Sequence, residues 1–193
     1  YISEIAKSFV EKVKTVNLYI GVCSLATHYK NMNNDELAYE ITFNGVPTGL
    51  HTSIKEALQS DEWDFVTMQQ ASHFSFEPKT YHPYIERLSE YASYHAPNSK
   101  QIVHQTWSYE QGSDRLKSFG FSEQADMFNK LKSAYDSAAK AINAPVIPSG
   151  EMFQKLIGEG FSVHRDTFHA KLGFGRFALA LLWLKTLADI DIK

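Results

Sequence analysis

What most constrains this chain is its alternation of short apolar segments with amphipathic helical ones. Val16 to Ile20, Trp63 to Met68, Gln101 to Trp107 and Pro145 to Ile147 are each too short for a stable helix and read as strands. Longer helical patterns lie between them. Thr80 to His95 gathers Tyr81, Tyr84, Ile85, Leu88, Tyr91 and Ala92 on one face, and Ser122 to Ile142 gathers Ala125, Phe128, Leu131, Tyr135, Ala138 and Ile142. Strand followed by helix, repeated, predicts an α/β fold with a mostly parallel sheet covered on both faces. Further helices are predicted over 2–13 (Ile2, Ile5, Ala6, Phe9, Val10, Val13), over Ser53 to Gln59 and Ser149 to Ile157 with those serines as caps, and from Phe177 to Leu187. Tyr39 to Phe43, Asn44-Gly45 and Val46 to Thr52 read as a hairpin outside the main sheet, with Pro47 marking the second strand as an edge. Gly21 to Leu25 and Ser108 to Gly120 read as loops, and Asn31 to Glu36 as a short helix or loop. No repeat, low-complexity tract or linker interrupts the 193 residues, which suit one domain.

Several function classes are disfavoured. Net charge is -3 and no basic run exists, so no nucleic-acid footprint is expected. The apolar run Phe177 to Leu187 is too short for a bilayer and contains Lys185, so no membrane span is expected. The one cysteine, Cys23, allows no intramolecular disulfide and fits a reducing compartment. Oligomeric state is left open.

In parallel sheets, ligands sit beyond the carboxyl ends of the strands. Those ends carry Gly21 to Ser24, Gln69 to His73, Gln105 to Trp107, and the loop His164 to His169. Asp166 precedes His169 by three residues at the mouth of the last helix. That spacing builds the base half of a nucleophilic triad: the carboxylate fixes the imidazole tautomer and the other ring nitrogen faces a nucleophile. The bland alternative is a helix-capping Asp beside a surface His. Gln70 is either an oxyanion donor or a brace between loops, and Gly21 either offers a backbone N–H or makes a turn. Ser24 serves as nucleophile only if it sits against His169, and otherwise caps a helix. His73, His104, His164 and His169 raise the thought of a metal, but no HExxH or CxxC spacing accompanies them, so no metal or other cofactor is expected. Trp107 is core or a pocket wall.

The stretches Tyr19-Ile20-Gly21-Val22-Cys23-Ser24-Leu25, Val66-Thr67-Met68-Gln69-Gln70-Ala71-Ser72-His73, His104-Gln105-Thr106-Trp107 and Arg165-Asp166-Thr167-Phe168-His169 together resemble the SGNH (GDSL-type) hydrolase superfamily, and a bacterial branch of it most closely. The resemblance covers nearly the whole chain. It implies a flavodoxin-like three-layer α/β/α sandwich and a serine-esterase mechanism. His169 matches the catalytic His and Asp166 its Asp. Gly21 matches the glycine whose N–H lines the oxyanion hole. The usual Gly-x-Asn-Asp block is absent. Gln70-Ala71-Ser72 is similar instead to the Gln-Gly-Glu segment of sialate- and xylan-acetyl esterases, which carries the donor role to Gln70. The family's Gly-Asp-Ser or Gly-Asn-Ser turn follows a first, central strand, and residues 1–13 look like the helix after it. The expectation is therefore an N-terminally incomplete domain whose nucleophilic serine lies upstream of Tyr1. The implied substrate is a small-molecule or carbohydrate O-acyl ester, with His73, Gln105 and Trp107 as pocket residues. Ser24 as nucleophile is one rival reading, and a non-catalytic ligand- or sugar-binding domain is another.

Overall fold

The computed structural model describes residues 2–6 and 13–188. The predicted first helix is seen as α1 (Ile2–Ala6); 7–12 lie outside the described residues, and Val13 is already out of the helix. β1 (Val16–Tyr19) was expected in the main parallel sheet. It pairs antiparallel with β2 (Tyr39–Phe43), which pairs antiparallel with β3 (Val46–Thr52). The hairpin between β2 and β3 turns at Asn44 and Gly45, both at positive φ, as the Asn-Gly signal requires. The register sets Val16 and Leu18 opposite Phe43 and Ile41, so β1 buries one side only and Tyr19 is 56% exposed.

The predicted loop at Gly21 to Leu25 ends early, because Ser24 caps a helix there. Its side chain accepts from the Thr27 N–H and opens α2 (Leu25–Asn33). α3 (Ile54–Gln59) opens on a full capping box made by Ser53 and Glu56. β4 (Phe65–Met68) follows. α4 (Tyr84–His95) starts at Tyr84 rather than Thr80, because Pro83 lacks an N–H and its ring pushes the preceding residue out of helical space; Pro78–Thr80 forms a 3₁₀ turn instead.

β5 (Lys100–His104) ends before Gln105, so Gln105 to Trp107 continue as loop. The segment Ser108 to Gly120 contains a short helix, α5 (Asp114–Ser118), capped by Ser113 and anchored by the fully buried Leu116. α6 (Gln124–Ala141), β6 (Val146–Ile147) and α7 (Ser149–Gly158) follow. Ser149 is the first residue of α7, after Pro148, and not its cap. α8 (Phe174–Ala188) begins and ends outside the predicted Phe177 to Leu187. No helix among the described residues is long and apolar enough to cross a membrane.

β4, β5 and β6 form the parallel sheet in that order, and the protein is mixed α/β as predicted. Ile102 and Val103, neighbours on β5 that point to opposite faces, are both buried, so both faces of the sheet are covered. α6 packs on β5 and β6, and α8 on β6. The larger core joins Leu25, Tyr81, Ile85, Val103, Met127, Leu131 and Tyr135. Each such side chain contributes roughly 1.5–3 kcal/mol of burial. A second cluster joins Phe153 of α7, Val163 and Ala170, with Trp107 and Leu179 against it. That cluster underlies the loop carrying Asp166 and His169.

Candidate functional site

The Asp166/His169 loop is a closed turn. His164 bridges Ala170 in antiparallel fashion, the Arg165 N–H donates to the His169 carbonyl at 2.9 Å, and the Lys171 N–H donates to Val163 at 2.7 Å. At its tip Thr167 has φ 70°, a strained backbone for a β-branched residue. Two bonds from the Trp107–Glu110 segment pin this tip. The Trp107 indole N–H donates to the Phe168 carbonyl at 2.7 Å, and the Glu110 N–H donates to the Thr167 carbonyl at 2.7 Å. Beneath, the buried His164 donates from Nε2 to the Ser108 carbonyl at 2.9 Å. Burial holds His164 below the ordinary histidine pKa, so it braces as a neutral ring.

Within the turn, Asp166 faces His169 twice. Its Oδ1 accepts the His169 backbone N–H at 3.0 Å, and its carboxylate oxygens lie 2.9 and 3.0 Å from His169 Nδ1. A carboxylate only accepts, so in the neutral ring the proton sits on Nδ1 and the lone pair on Nε2. Nε2 has no hydrogen-bond partner among the described residues. The Arg165 guanidinium also donates to Asp166, at 3.2 and 3.3 Å. The His169 ring N–H, reinforced by its backbone N–H and by Arg165, holds the Asp166 carboxyl well below the usual carboxylate range. Both side chains are about half exposed, 42% and 50%, so substrate can reach them.

The other predicted site residues fall into place differently. Gln70 was expected as an oxyanion donor. It is fully buried, and its amide N–H groups go to the Thr80 carbonyl at 2.9 Å and hydroxyl at 3.2 Å. Its oxygen accepts from Leu25 and Ala71 N–H. Gln70 is thus a brace holding α2 to the end of β4. The Ser24 hydroxyl is taken up by Thr27 and makes no bond to His169. Gly21 lies in an exposed turn before Val22, and its N–H has no acceptor among the described residues.

Gln105 is fully buried and uses its oxygen on the Glu151 N–H at 3.1 Å, so it binds α7 to β5 instead of lining an open pocket. His104 joins the three strand ends. Its Nδ1 donates to Gln69 Oε1 at 2.7 Å, and its Nε2 accepts from Ser149 Oγ at 3.0 Å. Enclosed there, with Trp183 edge-on, its pKa is pushed down to about 4 by burial. Among the described residues no group of three or more His, Cys, Asp or Glu side chains could hold a metal ion.

His73, by contrast, lies within reach of the Arg115 charge. Burial and the charge of Arg115 lower its pKa. Arg115 in turn sits over the Phe168 ring at 3.8 Å and over Tyr109 at 5.5 Å, and Phe168 touches His169 with ring centroids 3.7 Å apart. Sequence reasoning missed Arg115, since α5 was read as loop.

Three solved structures share this architecture. A DUF4886 family protein from Bacteroides uniformis superposes with a TM-score of 0.90 at 27% identity, covering 99% of this chain and 77% of its own. A protein from Slackia heliotrinireducens assigned to the SGNH hydrolases gives 0.64 at 25% identity, covering 86% and 80%. A GDSL-like lipase from Parabacteroides merdae gives 0.52 at 15% identity, covering 65% and 60%, a likeness of fold alone. No curated protein matches the chain. The fold is thus that of SGNH-type hydrolases, and with a family profile that matches residues 1–193 throughout, the chain belongs to the domain of unknown function DUF4886.

Proposed function

We propose that this chain carries the base and its orienting acid for an SGNH-type serine hydrolase that cleaves an O-acyl ester of a small or carbohydrate substrate. The observation that supports this most is the Asp166–His169 pair: Nδ1 is held by a carboxylate, Nε2 is free, and both groups are open to solvent. The 25% identical SGNH relative supports the reaction class.

In this mechanism His169 Nε2 takes the proton of a serine hydroxyl as its oxygen attacks the ester carbonyl. Asp166 stabilises the imidazolium that forms. The Gly21 N–H meets the oxyanion. The intermediate collapses, the alcohol leaves with the proton from His169, and water hydrolyses the acyl-enzyme with His169 again as base. No serine among the described residues hydrogen-bonds His169, so the reading takes the nucleophile from chain outside them.

The test is labelling with a serine-reactive fluorophosphonate together with p-nitrophenyl acetate turnover, on this chain and on the longest natural chain that contains it. An adduct on a serine, with turnover lost in His169→Ala, is expected in the longer chain. Folded protein that neither labels nor turns over in either form speaks for a non-catalytic binding domain instead.

A further inference from the structure

We propose that Arg115 is a specificity residue that selects esters bearing a carboxylate near the scissile bond; this rests on the hydrolase reading above. α5 is fixed by its Ser113 cap, whose hydroxyl also donates to the Glu110 carbonyl at 2.7 Å, and by the wholly buried Leu116. From this base the guanidinium carbon sits 3.8 Å from the Phe168 centroid and 5.5 Å from that of Tyr109. Cation–π contact holds the group in position but uses none of its N–H donors.

No described carboxylate takes them up. The adjacent Asp114 pairs with Lys117, and the other cation at the site, Arg165, is occupied by Asp166. None of the hydrogen bonds among the described residues uses the Arg115 guanidinium. The same Phe168 ring that carries Arg115 also touches the His169 ring at 3.7 Å. An unspent, exposed guanidinium therefore shares one aromatic platform with the general base. Burial, and then the nearby charge of Arg115, hold His73 below the ordinary histidine pKa, which disfavours a second cation beside Arg115.

A guanidinium recognises a carboxylate by two parallel N–H···O bonds, which an uncharged ester group cannot match. The chain carries a net charge of -3, so a fixed cation at the site also draws anionic substrates against the overall field.

The test is an NMR titration of the folded chain with N-acetylglycine and with its uncharged amide, N-acetylglycinamide. N-acetylglycine is expected to shift the His169 and Phe168 resonances at concentrations at least tenfold below those the amide requires. The preference is expected to vanish in Arg115→Met and to survive in part in Arg115→Lys, with backbone spectra reporting that both variants fold. Equal response to the two probes, no response to either, or an unchanged preference in Arg115→Met would overturn the assignment. Because the readout is binding, it stands apart from ester turnover. A protein that fails to label with fluorophosphonate yet keeps the anion preference loses the hydrolase reading but keeps Arg115 as an anion site.

Discussion

The Asp166 carboxylate and the His169 ring meet at 2.9 Å on a single turn, joined also by a backbone bond at 3.0 Å. The two groups reach each other without help from any distant element. What distant elements supply is the orientation of the whole turn, through Trp107, Glu110 and Ser108.

Asp166→Asn tests the tautomer. The amide offers an N–H to Nδ1, which moves the ring proton to Nε2, the nitrogen that must accept. Turnover of p-nitrophenyl acetate is expected to fall roughly 10³- to 10⁴-fold, the scale of the same change in a serine-protease triad. Nitrogen-15 shifts of the His169 ring check the tautomer whether or not turnover is followed.

The acid limit of the dyad follows from Asp166. Its carboxyl is depressed in the folded protein, so its stabilising effect is complete above the unfolded value of about 3.9 and is lost only as pH falls through the lower folded value. A carbon-13 titration is expected to show Asp166 still ionised where exposed carboxyls elsewhere are half protonated. A midpoint at the ordinary value would contradict the hydrogen bonding described.

Trp107→Phe keeps the contact with Phe153, whose ring lies 4.8 Å away, but removes the N–H that the Phe168 carbonyl accepts. A cost of about 1–2 kcal/mol is expected in urea unfolding. The strained Thr167 tip loses one of its two pins, so turnover is expected to drop more than stability alone accounts for.

Enclosed histidines make stability pH-dependent. Burial lowers both His28 and His104 to about 4. The unfolded chain protonates them near pH 6.5 and the folded chain does not. Stability is therefore full above that pH, falls as pH drops, and levels off near 4. The loss at pH 5 is on the order of 2 kcal/mol for each ring. His104→Gln is expected to reduce the slope of unfolding free energy against pH, as read from urea midpoints between pH 7 and 5, with His28 and the likewise depressed His164 carrying the remainder.

Gly150 sits where α7 meets the end of β5. A Cβ there stands 2.5 Å from the Thr106 carbonyl oxygen and 2.9 Å from Gln105 Oε1. Gly150→Ala is expected to cost about 1–3 kcal/mol through forced displacement of β5 from α7, seen as a lowered Tm.

The strands β4 to β6 and the contact between Asp166 and His169 were legible because each is local: a run of apolar residues, or two residues on one turn. The Ser53 cap and the Asn44-Gly45 turn were legible for the same reason. β1 was misassigned because the choice of partner strand depends on residues far along the chain. α2 was only half legible: a capping role for Ser24 was one of its alternatives, but the residues after Leu25 carry no strong apolar periodicity to mark the helix that it opens. The Gln70 reading failed for a subtler reason. A buried amide after a strand serves as an oxyanion donor or as a brace, and only the position of Thr80 decides between them. Nothing in the sequence marks Trp107 as a donor to Phe168, or sets Arg115 on that ring.

Among the described residues, β1 is hydrogen-bonded on one flank only, by β2, and β4 on one flank only, by β5. Among the described residues, each therefore keeps a flank whose amide and carbonyl groups no strand takes up, the kind of row that can template the pairing of further extended backbone. In concentrated solution these flanks are where assembly between copies is expected to begin, and a lysine or proline introduced on either is the substitution best suited to keep the chain monodisperse.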